Sequence, residues 1–144
     1  DRLAAEKADY QDQLLRRTAE FENFRRRTER ERLELSEYAS MEAVKALLPI
    51  LDDFERALKI ESSDKEYIKG TELIFQRFYG VLQKQGLEPI EAVGKIFDPN
   101  LHHAIERVET SDKEDQQILD EFQRGYNFRG RLLRPALVKV AVNS

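Results

Sequence analysis

Between Leu3 and Tyr38 the apolar side chains are sparse and fall on two seven-residue registers. Leu3, Tyr10, Phe24 and Tyr38 share one, and Leu14, Phe21, Thr28 and Leu35 share the other, four residues later. That spacing is the a/d seam of a coiled coil. The seam is imperfect, because Lys7, Arg17, Glu31 and Glu42 stand where apolar residues would close it. No glycine or proline occurs before Pro49, and these two residues carry the largest penalties inside a helix. The pattern predicts one uninterrupted helix over residues 1–48, a rod of roughly 70 Å at about 1.5 Å per residue. Such a rod has no core of its own and needs a partner.

From Met41 the apolar density rises through Val44, Leu47, Leu48, Ile50, Leu51, Phe54 and Leu58, a stripe wide enough for a bundle. Pro49 is expected to kink or restart the helix. The polar stretch Glu61-Ser62-Ser63-Asp64 breaks the pattern, and Ser63 or Asp64 suits the cap of a further helix. That helix carries Tyr67, Ile68, Thr71, Ile74, Phe75, Phe78 and Leu82 at helical spacing and ends at Gly86. Residues 49–86 thus read as two short helices, too little for a core alone, whereas two copies would make a dimeric four-helix bundle. The expected dimer core is Leu14, Phe21 and Phe24 on the rod, with Leu48, Leu51, Phe54, Ile74 and Phe78 in the bundle.

After Gly86 the period changes from 3.6 to 2. Ile118, Asp120, Phe122, Arg124, Tyr126 and Phe128 alternate with their neighbours, as do Ala136, Val138, Val140 and Val142. Turn signals at Gly94-Lys95, Asp98-Pro99-Asn100, Thr110-Ser111-Asp112 and Arg129-Gly130-Arg131 punctuate the segment. Residues 87–144 are expected to form a small, mainly antiparallel β domain, and the fold class is α+β.

Composition supports a thin-seamed helical protein: 36% of the 144 residues are charged. The net charge of −4 is unevenly spread. Residues 106–121 hold seven acids, whereas 122–144 hold Arg124, Arg129, Arg131, Arg134 and Lys139 and no acid. A one-signed terminal segment is a candidate docking face. The absence of cysteine excludes disulfides and thiolate metal sites and fits a reducing cytoplasm. No apolar run reaches the roughly 20 residues of a membrane span, and no signal peptide is visible. The chain begins inside a helical pattern without a starting Met or an N-cap, so it reads as a piece whose natural N-terminus lies upstream.

Signals of catalysis are thin. No glycine pattern that cradles phosphate is present. His102 and His103 are adjacent, so on a strand they face opposite ways and do not share a metal. Acidic pairs on the rod suggest no pocket for acid–base work. The cluster Arg25, Arg26, Arg27, Arg30 and Arg32 is interleaved with Glu29 and Glu31 and reads equally as an ion-paired face. Tyr126 and Phe128 near Arg129 and Arg131 fit packing within a sheet better than base stacking. No enzyme, no cofactor and no metal are expected, and net acidity disfavours a nucleic-acid partner. A passive coiled-coil scaffold remains the rival reading from composition.

The β segment carries a more specific likeness. Phe97-Asp98-Pro99-Asn100-Leu101-His102-His103-Ala104-Ile105, Gln123-Arg124-Gly125-Tyr126 and the run from Gly130 to Ala141 resemble the signature of the GrpE family. The helical half agrees at Phe24-Arg25-Arg26-Arg27-Thr28, Leu47-Leu48-Pro49, Asp52, Arg56-Ala57-Leu58 and Gly70. The resemblance implies a cytoplasmic homodimer that acts as nucleotide exchange factor for the DnaK heat-shock chaperone. Its long helices would run parallel, with β domains splayed like wings. One wing would hold the chaperone's nucleotide cleft open so that ADP leaves, without the factor binding nucleotide, nucleic acid or membrane. By motif, the chaperone-facing positions fall on Phe122, Arg131 and Val140 in the β domain and on Arg25, Arg26 and Tyr38 on the rod. Glu34 departs from relatives that carry a basic residue there. With its charged seam, the resemblance also implies a rod that unzips on heating and so senses temperature.

Overall fold

The computed structural model describes residues 1–61 and 63–143; Ser62, within the expected Glu61–Asp64 break, and Ser144 lie outside the described residues. Helix α1 (Arg2–Lys59) and helix α2 (Lys65–Gln85) are followed by strands β1 (Leu87–Pro89), β2 (His102–Glu109), β3 (Ile118–Gln123), β4 (Tyr126–Phe128), β5 (Arg131–Arg134) and β6 (Ala136–Val142). The fold is α+β. Asp1 caps α1 after all, its carboxylate accepting from the Leu3 N–H at 3.2 Å. Of the two residues expected to cap α2, Asp64 does so by accepting from Tyr67 N–H. Gly86, at φ 120°, ends that helix.

The chain divides into two compact units, residues 1–40 and 41–144. The first is the solitary rod. Its seam residues Leu3, Tyr10, Leu14, Phe21, Phe24, Leu35 and Tyr38 are all exposed in the single chain.

Two expectations about the helices are corrected. The helix does not stop at Pro49, and the second unit begins at Met41 instead, so one short helix follows the rod and not two. An interior proline costs about 3 kcal/mol. On either side of it, Leu48 and Leu51 are 1% and 0% exposed, and burying each stabilises by roughly 1.5–3 kcal/mol. Pro49 and Lys45 are both exposed, which puts the missing helical bond on the solvent side of α1. Packing wins.

The second unit has two apolar cores. Val44, Leu48 and Leu51 of α1 and Phe75 and Leu82 of α2 pack with Leu87, Tyr126, Phe128 and Leu133. The strands that supply the last four form an antiparallel sheet ordered β1-β4-β5, called here the inner sheet. A separate cluster of Ala92, Ile118, Ala136, Val138 and Val140 lies under the outer sheet, ordered β2-β6-β3. The β region is mixed, not simply antiparallel: β2 runs parallel to β6, while β3 is antiparallel to it.

The sheets meet where two chain segments cross. The β3–β4 connection passes through Gly125, and the β5–β6 connection through Pro135. A Cβ on Gly125 would stand 2.5 Å from Ala136 N and 2.9 Å from Pro135 C, so glycine is required by close approach. The β4–β5 hairpin turns through Arg129 at φ 49° and Gly130 at φ 82°, the pair of positive φ values of a type I′ turn. Arg129 is held there by its Nε, which donates to the Gln85 carbonyl at 3.0 Å.

Candidate functional site

The apolar stripe of α1 that turns Leu48 and Leu51 into the core brings Asp52 and Glu55 to its edge, one turn apart. Each meets an arginine from the sheet crossing. Arg134 ends β5, and its Nη1 and Nη2 donate to Asp52 Oδ2 and Oδ1 at 2.8 and 2.6 Å. Its Nε donates to the Arg124 carbonyl at 2.8 Å, tying the two crossing segments together. The guanidinium lies 5.4 Å from the centre of the Tyr126 ring. Arg124 stands 3.4 Å from Glu55 and 3.7 Å from Glu121.

Burial decides the character of this cluster. Exposed ion pairs contribute about 0–1 kcal/mol, and those along the rod, such as Arg16–Asp12, are of that kind. The Arg134–Asp52 pair is bidentate, with side chains only 12% and 25% exposed, a geometry that gives direction as well as energy. The second contact is looser: Glu55 Oε1 is buried yet makes no hydrogen bond among the described residues, and neither does the Tyr126 hydroxyl. Burial raises the Tyr126 phenol above its usual pKa, and Glu55 adds to the shift. Burial also raises the Glu121 carboxyl, with Arg124 opposing. For Arg124 burial disfavours the charge, but Glu55 and the other acidic groups facing it outweigh that and raise its pKa. Beside the cluster is a half-open cleft of about 520 Å³, lined by Asp52, Glu55, Arg56, Phe75, Phe122 and Arg124 among others.

The outer sheet carries the amphipathic surface. Phe122 is 48% exposed, with Lys139 Nζ 6.0 Å from its ring centre and 4.0 Å from Glu106. Simple alternation would place Phe122 on the face of Ile118, which is buried. Register shifts between Ile118 and Asp120 and between Glu121 and Gln123 turn it outward instead.

Within the second unit, the predicted residues Phe122, Val140 and Arg131 lie on three different strands of two sheets. Val140 neighbours β3 on β6 but is 1% exposed, so its side chain supports the outer sheet from within and offers no outside contact in this conformation. Arg131 is exposed at the hairpin but belongs to β5 of the inner sheet, not to a strand beside Phe122. The expected basic docking face is also largely engaged within the chain: Arg124 and Arg134 face α1, Arg129 binds the end of α2, and Lys139 covers Phe122. On the rod, Arg25, Arg26 and Tyr38 are exposed, and Arg25 lies 3.2 Å from Glu22.

Among the expected dimer-core residues, Leu48 and Leu51 are already buried within their own chain. Phe54 and Phe78 are partly so, their rings 6.5 Å apart. Ile74 is 60% exposed and free of that core. His102 and His103 do face opposite ways, His102 buried and His103 exposed. His102 Nδ1 accepts from the Asp98 N–H at 2.9 Å, which locks the Asp98–His102 turn. The Asp98-Pro99-Asn100 signal located this turn, whereas sequence reading missed the histidine contact that locks it and the two arginine–carboxylate contacts. A signal existed: acids one turn apart on an apolar stripe, and an arginine just before each of Gly125 and Pro135.

A sequence profile described as GrpE matches residues 1–142, both the helical and the β parts. The chain belongs to the GrpE family. Protein GrpE of Parageobacillus thermoglucosidasius is 45% identical over 142 residues, covering 96% of this chain and 63% of that protein. Protein GrpE of Geobacillus stearothermophilus is 47% identical over 133 residues, covering 90% and 60%. For that of Bacillus cytotoxicus the figures are 40% over 143 residues, 97% and 72%. The chain therefore spans about three fifths of the first two GrpE relatives. Among the described residues no helix is long and apolar enough to cross a membrane.

Proposed function

We propose that this GrpE-family chain is a nucleotide exchange factor: a co-chaperone that binds the nucleotide-binding domain of a DnaK-type heat-shock chaperone and opens its cleft to release ADP. The observation that carries the reading is the family match across rod, helices and β region together. The factor works by differential binding. It must hold the open, nucleotide-free chaperone more tightly than the ADP-bound one, because a ligand that binds both states equally shifts nothing. It breaks no bond, needs no cofactor, and works in the cytoplasm apart from nucleic acid and membrane.

The working assembly is a homodimer. The exposed rod seam and the exposed α2 residues Tyr67, Leu73, Ile74 and Val81 are the surfaces a second copy covers, giving paired rods and a four-helix bundle. The chaperone contacts are Phe122 and Arg131 in the β region and Arg25, Arg26 and Tyr38 on the rod. The rod, with Lys7, Arg17, Glu31 and Glu42 on its seam, opens on heating and lowers exchange. Stopped-flow release of a fluorescent ADP analogue from a DnaK-type ATPase domain tests the function. A release rate unchanged by saturating factor would end this reading and favour a passive scaffold.

A further inference from the structure

The outer sheet has its own core, distinct from the one joining the helices to the inner sheet. It is tethered through the crossing of the β3–β4 and β5–β6 connections. At that crossing Arg124 and Arg134 both reach back to α1, beside an open cleft that leaves β3 room to move against the helix. We propose that Asp52–Arg134 and Glu55–Arg124 form a double clamp that fixes the angle of the outer sheet on the helical body. The four are positioning residues for exchange, an inference that rests on the function proposed above.

The two halves differ in kind. Asp52–Arg134 is short, bidentate and reinforced by the Arg134 Nε bond to the Arg124 carbonyl. It fixes direction, because a planar guanidinium meets a carboxylate edge-on in one orientation. Glu55–Arg124 is longer and not aligned as a hydrogen bond, and it acts as a charge guide toward the same helix face. Phe122 lies two residues before Arg124, so any rotation about the crossing carries the exposed ring with it. A wing presented at the right angle in only a tenth of the molecules binds its partner about tenfold more weakly.

The chain has no cysteine, so a single label pair is easily installed. Spin labels at Lys45→Cys on α1 and Glu109→Cys on β2, both exposed, report the sheet–helix distance in dimers diluted with unlabelled chain. The expected result is a narrow distance distribution in the parent that broadens in Arg134→Lys, which keeps the charge but loses the fork, and in Asp52→Asn. The reversed pair Asp52→Arg with Arg134→Asp should narrow it again. In parallel, Arg134→Lys should lower ADP-release acceleration at sub-saturating factor by roughly tenfold, with recovery in the reversed pair. A distribution that stays narrow while the urea midpoint falls would overturn the clamp, leaving those residues a merely structural role. Broadening with parental ADP release would overturn its part in exchange. If the parent itself fails to accelerate release, the functional reading falls, and the distance distributions still decide the clamp.

Discussion

Gly125→Ala isolates the crossing on which the outer sheet depends. The added methyl would lie 2.5 Å from Ala136 N, 2.9 Å from Pro135 C and 3.0 Å from Ala136 Cα. All three are backbone atoms, so no flexible side chain can yield. Both segments are also pinned: Ile90 N–H donates to the Gly125 carbonyl at 2.9 Å, and Ala136 N–H to the Leu101 carbonyl at 3.0 Å. Overpacking of a tight site costs typically 1–3 kcal/mol, and this one belongs at the upper end. Loosening the two hydrogen bonds adds about 1 kcal/mol each. The sum, roughly 3–5 kcal/mol, is a large share of the 5–15 kcal/mol that keeps a domain folded. At about 4–8 °C per kcal/mol for a unit near 100 residues, the β-region transition should fall by about 12 °C or more. Urea unfolding followed by circular dichroism, with calorimetry, measures it. A loss below about 1 kcal/mol would show that the two segments separate easily, and the close-approach argument would fail.

Gly80 is the contrasting case, since a Cβ there meets nothing within 4 Å; Gly80→Ala should raise helix stability by about 1 kcal/mol, and a weakened dimer instead would show a second chain close to that backbone. Ile74→Asp should leave the single-chain fold intact and give monomers by light scattering, and a persistent dimer would remove this face of α2 from the proposed interface. His102 titrates below its usual range because burial disfavours its charged form, with Asp98 opposing; its stabilisation is present above about pH 6.5 and is lost as pH falls through the lowered native pKa, at up to about 1.4 kcal/mol per pH unit. Comparing urea midpoints at pH 7.5 and 5.0 with those of His102→Gln should show the variant less pH-dependent, and equal slopes would exclude this imidazole. Arg131→Ala should slow ADP release with dimerisation unchanged, and a parental rate would take Arg131 out of the contact.

Periodicity made most elements legible. The long helix followed from missing glycine and proline, α2 from its cap and spacing, and β6 from Ala136, Val138 and Val140, all buried as alternation requires. The failures have separate physical causes. At Pro49 tertiary burial overrode a local penalty. Along β3, two register shifts broke the alternation that sequence assigns to Phe122, and nothing in the residue order marks a bulge. Arg124 and Arg134 looked like surface charge because their carboxylate partners lie 69 and 82 residues away, at Glu55 and Asp52. Val140 fitted a contact role by motif but lies in the outer sheet's core. Strand assignment without register cannot separate those two places.

These corrections change where binding chemistry resides. A one-signed basic face would attract any acidic surface and lose its grip as salt rises. Most of the terminal basic residues are instead turned inward or onto neighbours, so general charge attraction is a weak basis for partner choice. Outside on the outer sheet are the Phe122 ring, flanked by the Lys139 ammonium group in contact with the Glu106 carboxylate, and the Ile105 side chain. Such a surface favours a partner that offers an apolar pocket with a matched polar rim. Exposed apolar side chains elsewhere concentrate on the rod and on α2, where self-association is the reading their spacing supports. Under the proposed function, assembly within the second unit would draw on the exposed face of α2, and partner contact on Phe122 and Arg131. Within the second unit, the crossing at Gly125 and Pro135 is the mechanical link between helical body and outer sheet. A charged pair suits that link, because apolar contact alone has no preferred angle, whereas a bidentate guanidinium–carboxylate pair does.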